Sequence, residues 1–274
     1  MIKKIIVFLN QLLISLSLIT LILLSLFFQT LGNKDYLLSI LQKNNYSEQI
    51  YQFSISKVEG EIVSLGLSKE EIEKIYTKEK VEKDINNVIL SFYQNKEIKI
   101  DTTSITDNLD NMITKKVQEN NRSITLEEQQ AIDKLKTQVA TLYETNILYS
   151  KKYLSQIQRI FLKIFSLRKV FILSNTTIFL ILTILLFLLT KKKSYFSKFF
   201  GIATLTTSFV FLLIKLFLQS KFQKIVIFSP CFSKVIVSII NDIFQKMTVS
   251  AIILGIFSLL LIILGVNKAV NKKG

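Results

Sequence analysis

The sequence predicts an all-α membrane protein, with four transmembrane helices and one extracytoplasmic helical bundle. Three observations carry this. Of the 20 acidic residues, all except Asp242 fall between Asp35 and Glu144. The long uncharged apolar runs, 5–28, 170–190, 199–214 and 248–266, all lie outside that window. From Gly66 to Gly201 there is neither a glycine nor a proline. A run of roughly 20 apolar residues spans the hydrocarbon core as a helix. Charge and apolar surface are thus divided between two solvents.

Residues 1–29 read as the first transmembrane helix, an uncleaved signal anchor. Lys3 and Lys4 precede a run that outlasts the ~7–15-residue core of a signal peptide, and no small-x-small cleavage site follows it. Residues 30–149 form the extracytoplasmic helical domain, because a β domain of that size needs glycine-rich turns that this stretch lacks. The pattern predicts helices near 34–43, 47–65, 69–76, 78–94, 104–120 and 126–149. Ser68, Ser104 and Thr125 read as N-caps, each followed three residues later by an acid, Glu71, Asp107 or Glu128. Only EIKID, Glu97 to Asp101, alternates as a strand would, and one strand has no partner.

Residues 150–169 predict a basic amphipathic juxtamembrane helix. Tyr153, Leu154, Ile157, Ile160, Phe161, Ile164 and Phe165 recur at helical spacing, while Lys151, Lys152, Arg159, Lys163, Arg168 and Lys169 fall mostly on the other side. The preferred reading is a connecting helix that packs on its neighbours. The functional reading is a headgroup-binding helix or a force-transmitting stalk. The second transmembrane helix follows at 170–190, then a cytoplasmic basic loop at 191–198 (KKKSYFSK) and the third transmembrane helix at 199–218. An outer loop over 219–247 holds an interfacial amphipathic helix at 233–247. Ile236, Ile239, Ile240, Ile243 and Met247 face one way, and Lys234, Ser238, Asn241, Asp242 and Gln245 the other. The fourth transmembrane helix takes 248–266, and the cytoplasmic tail 267–274.

The formal net charge of +15 does not indicate nucleic acid. Between Lys34 and Asn146, 15 Lys/Arg face 19 acids, so the water-exposed domain is mildly acidic where a nucleic-acid surface would be basic. The remaining lysines gather at the ends of the apolar runs, where orientation signals and phospholipid headgroups place them. Four lysines in the short 191–198 loop resist translocation. With Lys3 and Lys4 at one end and Lys268, Lys272 and Lys273 at the other, they put both termini in the cytoplasm and the protein in the plasma membrane.

Candidate chemistry is sparse. There is no histidine, and Cys231 is the only cysteine, which removes Cys/His metal patterns and intrachain disulfides. No phosphate loop, GxSxG or HExxH motif is present. The acids Glu70, Glu71 and Glu73, and the pair Asp107 and Asp110, are explained by helix-start electrostatics. Inside the spans, Asn10 and Gln11 lie at a depth similar to Thr204, Thr206, Thr207 and Ser208, which predicts hydrogen bonds between the first and third spans. Ser174, Asn175, Thr176 and Thr177 mark one end of the second span, near the depth of Lys215 in the third. Neutral groups of this kind join helices, whereas a transport path more often shows an intramembrane ionised residue. Ala251 and Gly255 form a small-xxx-small pair that admits a closely packed helix. The expectation is no catalytic, cofactor-binding or metal-binding residue and no cofactor.

The order of short inner tail, span, large outer domain and three further spans resembles the permease subunits of the cell-division and macrolide-export class of ABC transporters. That resemblance implies a relay of force between a cytoplasmic ATPase and an extracytoplasmic domain. At 191–198 the chain departs from the class, because KKKSYFSK is too short for a coupling helix. More loosely, the chain resembles uncharacterised four-span bacterial membrane proteins with one helical extracytoplasmic loop, which imply no activity. The leading expectation is a non-enzymatic multi-pass protein whose outer domain binds a membrane protein, a peptide or an envelope component. Its partners are then the lipid bilayer and a membrane or envelope protein, not nucleic acid. The alternative is an accessory or permease-like subunit of an ABC-type transporter.

Overall fold

A computed structural model describes residues 2–62, 68–121, 123–223 and 230–270. Gly66, Lys272 and Lys273, and residues 63–65 of the helix expected over 47–65, lie outside them. Every regular element among the described residues is a helix. In order these are α1 (Ile2–Gln29), α2 (Lys34–Lys43), α3 (Tyr46–Ile62), α4 (Lys69–Ile75), α5 (Lys78–Tyr93), α6 (Thr103–Glu119), α7 (Leu126–Leu148), α8 (Lys151–Ser166), α9 (Arg168–Thr190), α10 (Lys193–Phe222) and α11 (Pro230–Val270). The EIKID segment is an extended connection. Four helices, α1, α9, α10 and α11, are long and apolar enough to cross a membrane.

The chain divides into two compact units. One comprises Met1–Tyr36, Ile164–Val226 and Ile236–Gly274; the other comprises Leu37–Lys163 and Ile227–Val235. In the first, α1 packs along α9 and α10. Val7, Ile14, Leu186 and Ala203 form one buried cluster, and Leu26, Phe211, Phe244, Met247 and Ala251 form another. Glycine decides how near α10 and α11 come. A Cβ on Gly201 would stand 2.9 Å from the Ser258 carbonyl oxygen and 2.8 Å from Ile262 Cγ1. One on Gly265 would stand 2.7 Å from both Lys198 N and the Ser194 carbonyl oxygen. Gly255, the small residue singled out in the sequence, faces Ser208 Oγ.

The second unit buries Ile50, Ile72, Ile75, Ile105, Leu109 and Val139 among α3 to α7. Among the described residues its helices end without glycine. Asn45, Asn95 and Asn121 take φ of 49°, 56° and 52° just past α2, α5 and α6. Asparagine tolerates this left-handed position better than other side chains, and so stands in for the usual C-terminal glycine. Tyr149, between α7 and α8, has φ 54° and ψ −53°, a costly conformation for a bulky side chain.

Three elements differ from the sequence reading. Residues 233–247 and the fourth span are not separate. They run unbroken in α11, whose 41 residues extend about 60 Å, twice a bilayer's hydrocarbon thickness. Pro230 fits its start because the first helical residue needs no amide donor. The 191–198 loop shrinks to Lys191 and Lys192, since α10 begins at Lys193. Only Leu167 separates α8 from α9.

Gly201→Val is expected to lower the melting temperature of the detergent-solubilised protein by an amount equivalent to about 1–3 kcal/mol of overpacking. Gly60 sits in α3 with nothing within 4 Å of its Cβ position. Gly60→Ala is therefore expected to raise stability by up to about 1 kcal/mol. Equal effects of the two substitutions would contradict the packing described.

Candidate functional site

The polar side chains of the apolar helices fall into a chain of interhelical bonds. On α1, Asn10 donates through Nδ2 to the Leu182 carbonyl of α9 at 3.0 Å, and Gln11 donates through Nε2 to the Phe199 carbonyl of α10 at 2.9 Å. The hydroxyls of Ser15 and Thr207 share a hydrogen bond at 3.0 Å, and Ser17 donates to Asn175 Oδ1 at 2.7 Å. Ser208 on α10 donates to the Ala251 carbonyl of α11 at 2.7 Å, and Ser258 donates to Thr204 Oγ1 at 2.8 Å. The expected pairing of α1 with α10 is present, but Asn10 reaches α9 instead.

Thr176, Thr177 and Thr206 donate to carbonyls one turn back on their own helices. Ser174 does so at 3.3 Å to the Phe171 carbonyl. Lys215 is half-buried on α10. Asn10 is 3% exposed, and its Oδ1 has no hydrogen-bond partner among the described residues. Ser15, Ser17, Ser258 and the two close-contact glycines escaped the sequence reading. Lone serines in apolar runs carry no signal until their facing carbonyl or hydroxyl is known.

A second constellation sits where α2 begins. Tyr36 donates to Asp242 Oδ2 at 2.7 Å, Lys246 pairs with the same oxygen at 2.8 Å, and Lys246 Nζ lies 4.5 Å from the Tyr36 ring centre. Burial, and then the Asp242 carboxylate, hold the Tyr36 phenol well above its ordinary pKa. The i,i+4 spacing of Asp242 and Lys246 was the signal available in the sequence. These contacts compensate the burial of the Asp242 carboxylate, 30% exposed, within α11.

In the helical unit, Asp84 is 6% exposed. Its Oδ2 accepts from Tyr143 at 2.8 Å and pairs with Lys80 Nζ at 2.7 Å, and Lys80 also donates to the Asp101 carbonyl. Tyr76 stacks on Tyr143 at 5.1 Å and donates to the Val139 carbonyl. Burial pushes both phenols far above their ordinary pKa, with the Asp84 charge adding to the rise at Tyr143. The cluster ties α4, α5, α7 and the segment after Glu97 together.

Of the acids singled out earlier, Glu70, Glu71 and Glu128 stand in first helical turns, while Asp107 lies inside α6, past its first turn. Ser68 with Glu71, and Thr125 with Glu128, close reciprocal capping boxes. Glu71 is held below the usual carboxylate range by the Ser68 amide first, and also by Lys116 at 3.0 Å. Asp110 pairs with Lys136 at 2.9 Å across α6 and α7. Ser104 is not a cap. Thr102 holds that position without a side-chain bond, and Asp101 Oδ1 accepts from the Thr103 amide at 3.0 Å. Thr77, unnoticed in the sequence, caps α5 through the Lys80 amide. Among the described residues no group of three or more His, Cys, Asp or Glu could hold a metal ion.

Between α6 and α7 lies an open groove of about 500 Å³, lined by Thr102, Thr106, Asp133, Lys136, Thr137, Ala140, Thr141 and Glu144. Its wall offers hydroxyls and charges of both signs. No family model, curated protein or solved structure matches the chain. The geometry is thus the whole basis for a functional reading.

Replacing Tyr143 by Phe leaves buried Asp84 one donor short and is expected to cost about 1–3 kcal/mol of stability. Thr207→Val removes one interhelical bond of the apolar unit and is expected to cost about 0.6 kcal/mol. Chemical denaturation in detergent, followed by circular dichroism, measures both. A Thr207 effect larger than the Tyr143 effect would contradict this ranking.

Proposed function

We propose that the protein is a non-enzymatic, multi-pass plasma-membrane protein whose helical extracytoplasmic domain, residues 30–149, binds a partner. The observation that supports this is the α6–α7 groove, where the Thr106, Thr137 and Thr141 hydroxyls, each donating to a carbonyl of the preceding turn, keep acceptor oxygens beside Lys136, Asp133 and Glu144. A polar segment of a membrane protein, a peptide or an envelope component matches that lining, because hydroxyls and mixed charges give directional hydrogen bonds without demanding one ligand charge. The apolar helices favour the same reading. Gln11, Ser15, Ser208 and Ser258 bond neighbouring helices, as expected of a bundle built to anchor.

The transporter-subunit reading would need a coupling segment between α9 and α10, where two residues lie between the helices. A photo-crosslinking side chain placed at Thr106 or Thr137 of the full chain, in living cells, distinguishes the two. The expected result is one discrete adduct shared by both positions and missing from a control at exposed Lys57 on α3. An adduct shared by all three positions, or none, would overturn the groove as a recognition surface. Recurrent co-purification of an ATPase in gentle detergent would instead favour the transporter subunit.

A further inference from the structure

Helix α8 splits its apolar residues between two directions. Leu154, Phe161 and Phe165 turn partly inward, with the Phe161 ring 5.3 Å from Phe92 and 5.5 Å from Tyr93. Gln158 locks the rotation. Its buried Nε2 donates to the carbonyls of Ser91, Phe92 and Lys96 at 3.0, 3.2 and 3.1 Å. With that side fixed, Tyr153, Ile157 and Ile160 are left 62%, 55% and 63% exposed, and Ile164 continues the row. At 100° per residue, Lys152, Arg159 and Lys163 fall together along one edge of this row. Lys151 lies away from that edge and reaches Glu97 at 3.5 Å.

We infer that this face of α8 is a docking site for anionic phospholipids of the bilayer, with the apolar row among the acyl chains and the basic edge at the headgroups. Three features favour lipid over a protein occupant. No acid occurs from Thr145 to Lys169, so the face carries one sign of charge and complements an anionic surface. Only Leu167 lies between α8 and α9, a helix apolar enough to span the membrane, so the chain itself keeps α8 within reach of headgroups. The outward apolar row with a basic flank is also the pattern of helices that lie in the membrane interface. This site is independent of the α6–α7 groove, and its failure leaves the reading of that groove untouched.

The chain contains no tryptophan, so Ile157→Trp in the full-length protein gives a single reporter. The variant is reconstituted into phosphatidylcholine vesicles, with or without phosphatidylglycerol, and probed with acyl-chain-brominated lipid. The expected result is blue-shifted emission and bromine quenching that both grow with the phosphatidylglycerol content. Reversing Lys152, Arg159 and Lys163 to Glu should weaken the anion-dependent docking by about five-fold or more per charge. Tyr153→Trp repeats the measurement if the Ile157 variant does not fold. Emission as in water without quenching overturns the site. Blue-shifted emission without quenching also overturns it, because protein and not lipid then covers the row. Quenching indifferent to phosphatidylglycerol and to the charge reversals overturns the headgroup assignment.

Discussion

Apolar helices in hydrocarbon gain nothing from hiding their side chains from one another, because lipid tails are as apolar as leucine. What joins them must be hydrogen bonding and close van der Waals contact, and α10 supplies both. One side of it meets Gln11 and Ser15 of α1; the other holds Ser208 and Thr204 against α11. Gly201, Ala203, Thr204, Thr207 and Ser208 are all buried, so its small and hydroxylated face is used almost completely. A larger residue there would separate the backbones and break the bonds together. Both α1 and α11 are held through that one face, while α1 also meets α9 through Asn10 and Ser17.

Water imposes the opposite economy on the helical unit. Its helices associate by burying isoleucine, valine and tyrosine, and there polar burial must be compensated. Asp84 is the severe case, answered by Lys80 and Tyr143. Losing either donor strands a carboxylate in the core, whereas losing one serine in the apolar unit forfeits a weak bond among several. The two units thus share a secondary structure but not a source of stability. The near absence of glycine in the helical unit is met by asparagine at the left-handed positions that end α2, α5 and α6.

Much of the fold was legible in the sequence because helix ends leave local marks. The capping boxes at Ser68 and Thr125 are complete in four residues, and the helices they start lie where expected. Ser104 misled because the Ser-x-x-Asp spacing is met inside α6 as well as at its start, while Asp101 serves the Thr103 amide. The separation of 233–247 from the fourth span rested on the polar face of Lys234, Ser238, Asn241, Asp242 and Gln245 opposite the isoleucines. Tyr36, distant in sequence, donates to Asp242 and lets α11 run on. Half of the interhelical bonds were not legible, since their acceptors are backbone carbonyls such as those of Leu182, Phe199 and Ala251. The amphipathic stripe of 150–169 was visible, but only Gln158 and Phe161 reveal which half of it turns inward.

The proposed topology puts the charged helical domain on the outer side of the membrane and the lysine-rich α9–α10 connection on the inner side. Cysteine labelling in whole cells tests it directly, because Cys231 is the only native thiol and Cys231→Ser gives a blank background. A cysteine at Asn95 should react with an impermeant maleimide in intact cells, and one at Ser194 only after permeabilisation. Labelling at Ser194 but not at Asn95 in intact cells would contradict the account.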